Sequence, residues 1–192
     1  YTKVMESLEE KRARLNDLEA FEERKAAAAK LFAEAKKETE ELSAELSEIR
    51  KVEAYHLTEA IRTALVDLNF LEVQFSMEFG RGEQLSANGY DEMEFLISTN
   101  PGEELKPLGL VASGGELSRI MLAIKAVLAD VEQIDTLIFD EIDSGISGRT
   151  AQAVSEKLAR IAGEKQVICI THLAQIAAMA DHHYEIVKTA GP

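Results

Sequence analysis

Thr136-Leu-Ile-Phe-Asp-Glu-Ile-Asp-Ser-Gly-Ile-Ser147 is the stretch that decides the fold. It opens as a short apolar run, Leu137 to Phe139, bounded by polar residues, the pattern of a fully buried strand in a parallel sheet. Asp140 and Glu141 follow at the strand's C-terminal end, the edge where open α/β sheets bind ligands. Neighbouring side chains on an extended backbone point to opposite faces, so the two acids are expected to divide the work. One suits a hard cation such as Mg²⁺ and the other a water to be activated. Taken alone, the pair reads equally well as a strand ending in solvated charge.

Two flanking stretches weigh against that bland reading. Upstream lies Val111-Ala-Ser-Gly-Gly-Glu-Leu-Ser-Arg119, and downstream Val167-Ile-Cys-Ile-Thr-His172. Ser113, followed three residues later by Glu116, fits a capping box. Behind it Leu117, Ile120, Met121, Ile124, Val127 and Leu128 recur at helical spacing. The paired Gly114 and Gly115 cost more backbone entropy than a cap requires. They leave the first helical amides bare, which suits an approaching phosphate. Arg119, one turn further on, reads either as an aid to phosphate contact or as the partner of a nearby acid.

Ser147 to Ile161 reads as a helix with Ala151, Val154, Leu158 and Ile161 inward, and Gly163 ends it. Val167 to Ile170 is a second buried strand, so strand, helix and strand make a parallel βαβ unit. Thr171-His172 then closes at the same sheet edge as the two acids. A short helix carrying Leu173, Ile176 and Met179 follows, and His183 to Lys188 is expected to be a strand. Cys169, the single cysteine, sits within an apolar run and reads as a buried structural thiol. Cys169, His172, His182 and His183 lack the spacing of a zinc site.

Ahead of these motifs, Tyr1 to about Val66 contains no Pro or Gly and is rich in Glu, Lys, Arg, Ala and Leu, the composition of one long helix. Its apolar positions Val4, Leu8, Leu15, Leu18, Leu31, Ala35, Leu42, Leu46, Ile49 and Val52 approximate a heptad that slips around Ala26–Ala29, the pattern of a coiled coil with an interruption. So narrow a stripe needs a partner helix. Phe70 to Phe79 changes to a period of two, and Met93, Phe95 and Ile97 repeat it, which predicts an antiparallel strand pair. Gly80 to Asp91 forms the connection, longer than a tight hairpin needs and therefore expected to be mobile or to bind something.

The net charge of −14 on 192 residues argues against this chain being the main surface that grips DNA. No apolar run reaches the roughly 20 residues that span a bilayer. The chain starts at Tyr1 within a charged helical pattern, as an excised fragment does. It holds no G-x-x-x-x-G-K-[ST] phosphate loop and no Gly-Lys pair at all.

In this order the three motifs resemble the second half of an ABC-type ATPase head: signature, Walker B strand with its acid, D-loop and switch histidine. VASGGELSRIMLAIK, FDEIDSGISG and THLAQIAAMAD are similar, more narrowly, to the C-terminal part of the RecN family, bacterial SMC-like proteins of DNA double-strand break repair. The resemblance runs from about Phe70 to the end. It implies an α/β fold, the C-terminal lobe of an ABC-type head with a parallel βαβ core and an antiparallel strand pair (67–192), preceded by the returning arm of a coiled coil (1–66).

The resemblance also implies ATP and Mg²⁺ as cofactors. Asp140 holds Mg²⁺ through water, Glu141 is the general base, and His172 contacts the γ-phosphate. Ser113, Gly114, Gly115 and Glu116 bind the nucleotide of an opposing head, and Ser144, Gly145, Ile146 and Ser147 form the D-loop. That D-loop ends in Ser147 where the superfamily usually has Asp. The implied partners are an N-terminal lobe carrying the phosphate loop, a second head, and DNA through the whole assembly, in the bacterial cytoplasm at the nucleoid. Without the phosphate loop the chain is expected to be inactive alone. The rival readings are a head fragment of another ABC-type or SMC-like ATPase, and a coiled-coil dimerisation module with an idle lobe.

Overall fold

A computed structural model describes residues 2–111 and 113–187, with the side chain of residue 2 left out. The elements are α1 (Thr2–Asp67), β1 (Gln74–Ser86), β2 (Gly89–Ser98), β3 (Lys106–Pro107), a 3-10 turn (Leu108–Leu110), α2 (Gly114–Val127), β4 (Thr136–Phe139), α3 (Gly148–Ala162), β5 (Gln166–Cys169) and α4 (Ala174–Ala177). The chain divides into two compact units, Tyr1–Arg50 with Arg81–Glu92, and Lys51–Gly80 with Met93–Pro192.

In the first unit α1 is uninterrupted helix, as the absence of Pro and Gly permits. Its apolar residues Val4, Leu8, Leu15, Leu18, Leu31, Leu42 and Ile49 are exposed. The exceptions to that exposure lie where the hairpin tip rests on the helix. Ser47 Oγ donates to Asp91 Oδ1 at 2.7 Å, and Arg50 Nη1 donates to Asp91 Oδ2 and to the Asn88 carbonyl, both at 2.8 Å. Ser43 and Ser47 are buried there. Small hydroxyl side chains let the hairpin backbone approach closely, and Gly89, at φ +85°, packs against Ser43, Leu46 and Arg50.

The connection between the first two strands therefore differs from the long loop expected over 80–91. β1 runs on to Ser86 and β2 begins at Gly89, leaving Ala87 and Asn88 as the turn. The positive φ of Gly89 and the side chain of Ser86, which bonds both Asn88 N and the Gly89 carbonyl, make a tight reversal possible. Two glycines that look like loop residues, Gly80 and Gly82, lie within β1. A Cβ at Gly82 would stand 3.0 Å from Glu92 Oε1 and 3.3 Å from the Tyr90 carbonyl, so glycine there answers a close cross-strand approach.

In the second unit the last turns of α1 bury Ile61, Ala64, Leu65 and Leu68. Asn69, at φ +71°, ends the helix. The amide of Phe70 reaches back to the Leu65 carbonyl at 3.1 Å, the long bond of a Schellman cap. Phe70 to Val73 is turn rather than strand, and β1 starts at Gln74. Phe75 and Phe95 pack ring to ring at 5.3 Å, and Leu96 and Ile97 of β2 pair antiparallel with Pro107 and Lys106 of β3.

The βαβ unit is present as expected. β4 and β5 are parallel, in register from Thr136 opposite Gln166 to Phe139 opposite Cys169, and α3 crosses between them. Ala151, Val154, Leu158 and Ile161 point into the core, joined by Ser155. The buried side of α2 is Gly115, Arg119, Ile120, Leu122, Ala123 and Ile124. It is centred to one side of the stripe that periodicity gave, with Leu117 and Met121 only half-buried.

Two expectations need correction. β4 and β5 are buried on one face only: Leu137 and Phe139 point inward, whereas Ile138 is 67 % exposed, Ile168 46 % and Ile170 54 %. A two-stranded sheet with helices on one side has nothing to cover its other side, so its apolar alternate residues face solvent. The strand expected over 183–188 does not form at residues 183–187, which are irregular and exposed, with no neighbouring strand to take up their amides; Lys188 lies outside the described residues.

Candidate active site

The site is assembled at the C-terminal ends of β4 and β5 and the N-terminus of α2. Ser113 caps α2 in extended conformation (φ −96°, ψ 122°), and its Oγ accepts from the Glu116 amide at 3.4 Å. Gly114 and Gly115 open the helix against the segment that leaves β4. A Cβ on Gly114 would lie 2.6 Å from Glu141 Oε2. One on Gly115 would lie 2.8 Å from Ser144 Cβ, 3.0 Å from the Glu141 carbonyl and 3.1 Å from the Ser144 carbonyl. The glycine pair therefore has a reason within the chain itself: it lets the 141–144 segment lie on the start of α2.

β4 ends at Phe139, and the two acids leave it by different backbone routes. Asp140 Oδ1 accepts from the Glu141 amide at 2.9 Å, and the Asp140 carbonyl accepts from Ser118 Oγ of α2 at 2.7 Å. Glu141 turns into the left-handed region at φ +55°, a conformation an L-residue with a long side chain rarely adopts. The strand-alternation argument thus stops one residue short of the pair. The division between the acids comes from this reversal, which sets the exposed Glu141 carboxylate over Gly114.

Arg119 makes a contact its position did not suggest, with backbone carbonyls of the segment after β4. Its side chain is buried, and Nη1 donates to the Ser144 carbonyl at 2.9 Å and the Ile142 carbonyl at 3.5 Å, with the guanidinium 5.6 Å above the Phe70 ring. Burial lowers its pKa from the ordinary arginine value, opposed by the charge of Glu116. It fastens the segment after β4 to α2 through backbone carbonyls, which carry no sequence signal.

Ser144, Gly145, Ile146 and Ser147 form the loop before α3. Gly145 and Gly148 take φ +72° and +55°, with open space where a Cβ would go, so the turn itself requires them. Ser147 stands at the α3 N-cap in extended conformation without a side-chain capping bond.

At the end of β5, Thr171 and His172 converge on a residue that sequence reading passed over. Asp143, 3 % exposed, accepts on one oxygen, Oδ2, from Thr171 Oγ1 and from the His172 amide at 2.8 Å, and His172 Nδ1 lies 3.2 Å from the same oxygen. Burial alone would raise its pKa. The Thr171 hydroxyl, the His172 amide and the charge of His172 outweigh that and hold it below the ordinary aspartate value. The His172 ring itself is 75 % exposed. Cys169 beside it is pushed up to about 11 by burial and by the charges of Asp143 and Asp140, so its thiol stays protonated and unreactive near neutrality.

The residues suit Mg²⁺ and a nucleotide in part. Mg²⁺ usually keeps several waters and takes one or two carboxylates together with substrate phosphates. The exposed carboxylate of Asp140 is of the kind that suits such a site. Among the described residues no group of three or more His, Cys, Asp or Glu side chains could hold a metal ion by itself.

This fold, a long helix followed by an α/β lobe with the start of α2, the acids after β4 and His172 after β5 at one sheet edge, is that of the C-terminal lobe of an ABC-type ATPase head. It is similar to the Smc head domain with a coiled coil and joint from Pyrococcus yayanosii, at TM-score 0.50 and 21 % identity, over 69 % of this chain and 24 % of that one. Within that class the chain is a relative of RecN. It is 49 % identical over 150 residues to the DNA repair protein RecN of Halalkalibacterium halodurans, covering 76 % of this chain and 26 % of that protein. With RecN of Bacillus subtilis the identity is 45 % over 161 residues, 76 % of this chain and 28 % of that protein. With RecN of Treponema pallidum it reaches 60 % over 100 residues, 52 % of this chain and 18 % of that protein. The chain thus spans about a quarter of the length of the first two relatives. No family model matches it.

Proposed function

We propose that the chain is the returning coiled-coil arm and the C-terminal half of the ATPase head in a RecN-like protein, acting in ATP-dependent repair of DNA double-strand breaks and in recombination. The observation that carries this reading is the placing of three separate motifs at one sheet edge: Ser113–Glu116 at the start of α2, Asp140 and Glu141 after β4, and His172 after β5. The chain has no phosphate loop, so the nucleotide is held by a partner lobe. The bare apolar face of Ile138, Ile168 and Ile170 supports a further layer from that lobe.

In the assembled head Asp140 is the residue that would hold Mg²⁺ through water. Mg²⁺ and ATP, when bound, supply the phosphoryl group and the neutralisation of its charge. Glu141, exposed on a reversed backbone, takes the proton of the attacking water, and His172 orients toward the γ-phosphate. The start of α2, with Ser113, Gly114, Gly115 and Glu116, serves a phosphate on an opposing head, so ATP docks two heads and hydrolysis parts them. DNA is reached through the full assembly, which the acidic charge of this chain favours over direct contact.

The test separates the two acids in a head assembled from this chain and a phosphate-loop lobe. Glu141→Gln is expected to keep ATP binding and to lower turnover by about 10²–10⁴-fold, the usual worth of a general base. Asp140→Asn is expected instead to weaken Mg²⁺-dependent nucleotide affinity. Equal, small effects on both quantities return the pair to solvated acids at a strand end.

A further inference from the structure

We propose that Ser118 and Arg119, neighbours on α2, are positioning residues for Glu141, holding the left-handed backbone that sets where its carboxylate stands. The inference rests on the reading of Glu141 as the general base, and it adds the groups that place that base. Glu141 has φ +55°, a region that crowds Cβ against the following carbonyl oxygen. Glutamate has no short polar side chain of the Asn or Asp kind to ease that crowding. Such a conformation persists only where its surroundings over-determine it.

The bonds that do so lie on both sides of Glu141. Before it, Ser118 Oγ donates to the Asp140 carbonyl at 2.7 Å. After it, Arg119 Nη1 donates to the Ser144 carbonyl at 2.9 Å, with a longer bond of 3.5 Å to the Ile142 carbonyl. The φ of Glu141 is the twist between the Asp140–Glu141 peptide and the chain beyond its Cα. Ser118 holds the first of these and Arg119 the second. Successive side chains on a helix diverge by about 100°, so the two anchors pull in different directions and the chain bends between them.

The bend is closed from within by the Ser144 amide, which donates to the Glu141 carbonyl at 3.0 Å. That carbonyl lies where a Cβ on Gly115 would be 3.0 Å away, so the turn rests directly on α2. The rotation at Glu141 decides the direction of its Cα–Cβ bond. As held, the carboxylate stands over the start of α2, with Oε2 2.6 Å from the place of a Cβ on Gly114. An extended residue at this position would continue β4 and carry the side chain elsewhere. Within about two turns α2 therefore carries both the residues offered to an opposing head, Ser113 to Glu116, and the two that set this head's own base.

The experiment is nuclear magnetic resonance of the 192-residue chain, reading the cross-peak between the amide proton and the α-proton of Glu141. A positive φ brings these two protons together and makes that cross-peak strong, whereas strand and ordinary helix leave it weak. The wild-type chain is expected to show it strong. Ser118→Ala removes only the hydroxyl and favours the helix, and is expected to weaken it to the level of an ordinary residue. Arg119→Met keeps an apolar stem and removes the donors, with the same expected result. Ser118→Thr, which restores a hydroxyl, is expected to keep the cross-peak strong.

A wild-type Glu141 without the strong cross-peak overturns the proposal outright. Either variant that folds and keeps it at full strength overturns the role of the residue replaced. In a head assembled with a phosphate-loop lobe, Ser118→Ala is expected to lower turnover about 10²-fold, the scale of a misplaced reacting group, with nucleotide affinity unchanged and turnover restored by Ser118→Thr. An equal fall in affinity reduces Ser118 to a support of the fold and overturns its positioning role. A head without any ATP turnover refutes the reading of Glu141 as a base and leaves the cross-peak result standing, so the two failures are distinct.

Discussion

Gly115→Ala tests why α2 begins with two glycines. The added methyl would stand 2.8 Å from Ser144 Cβ, 3.0 Å from the Glu141 carbonyl and 3.1 Å from the Ser144 carbonyl. Carbon contacts are most favourable at about 3.5–4.0 Å, so all three neighbours are too close, and two of them are backbone atoms that cannot rotate away. Arg119 bonds the Ser144 carbonyl at 2.9 Å, which limits its retreat. Overpacking of this kind costs about 1–3 kcal/mol, while replacing Gly by Ala within a helix returns roughly 0.5–1 kcal/mol. The expected net loss is about 1–2 kcal/mol, or a melting point lowered by roughly 5 °C. Calorimetry or urea unfolding of the chain measures it, with Gly109→Ala, where no atom lies within 4 Å, as the neutral control. A Gly115→Ala chain as stable as the parent, with amide resonances of 141–144 unmoved, refutes the close-approach account and leaves phosphate binding as the sole reason for the pair.

Two further outcomes are expected. Ser113→Arg should spare nucleotide binding by its own assembled head yet abolish ATP-driven pairing of heads. Sedimentation with a non-hydrolysable ATP analogue checks this, and an undiminished dimer reduces Ser113 to a helix cap. The apolar seam exposed on α1, Val4 to Ile49, should draw two copies of the isolated chain together as an antiparallel pair without ATP. Light scattering should find a dimer that becomes a monomer when residues 1–50 are removed; a monomeric intact chain at high concentration contradicts the seam.

The long helix, the βαβ unit and the inward face of α3 were legible because their periodicities are long or repeated. The hairpin tip was not, because Gly80 and Gly82 look like loop residues, and only the cross-strand approach at Glu92 gives Gly82 a reason to lie within a strand. The half-open sheet was hidden for a different reason. Leu137, Ile138 and Phe139 form the same apolar run whether one face is covered or two, and the cover for Ile138 is absent from these residues. Of the site, Ser113, Asp140, Glu141 and His172 could be named from their motifs. Asp143 could not, since its partners lie 28 and 29 residues away at the end of another strand. Nor could Arg119, whose acceptors are backbone carbonyls that every residue possesses.

ATP turnover on mixing tests the central claim most directly. The purified chain should hydrolyse no ATP by itself, and adding a separately purified RecN-type lobe that carries a phosphate loop should produce Mg²⁺-dependent hydrolysis that Glu141→Gln abolishes. Robust Mg²⁺-dependent hydrolysis by this chain alone, or none with the lobe bound, contradicts its assignment as half of an ATPase head.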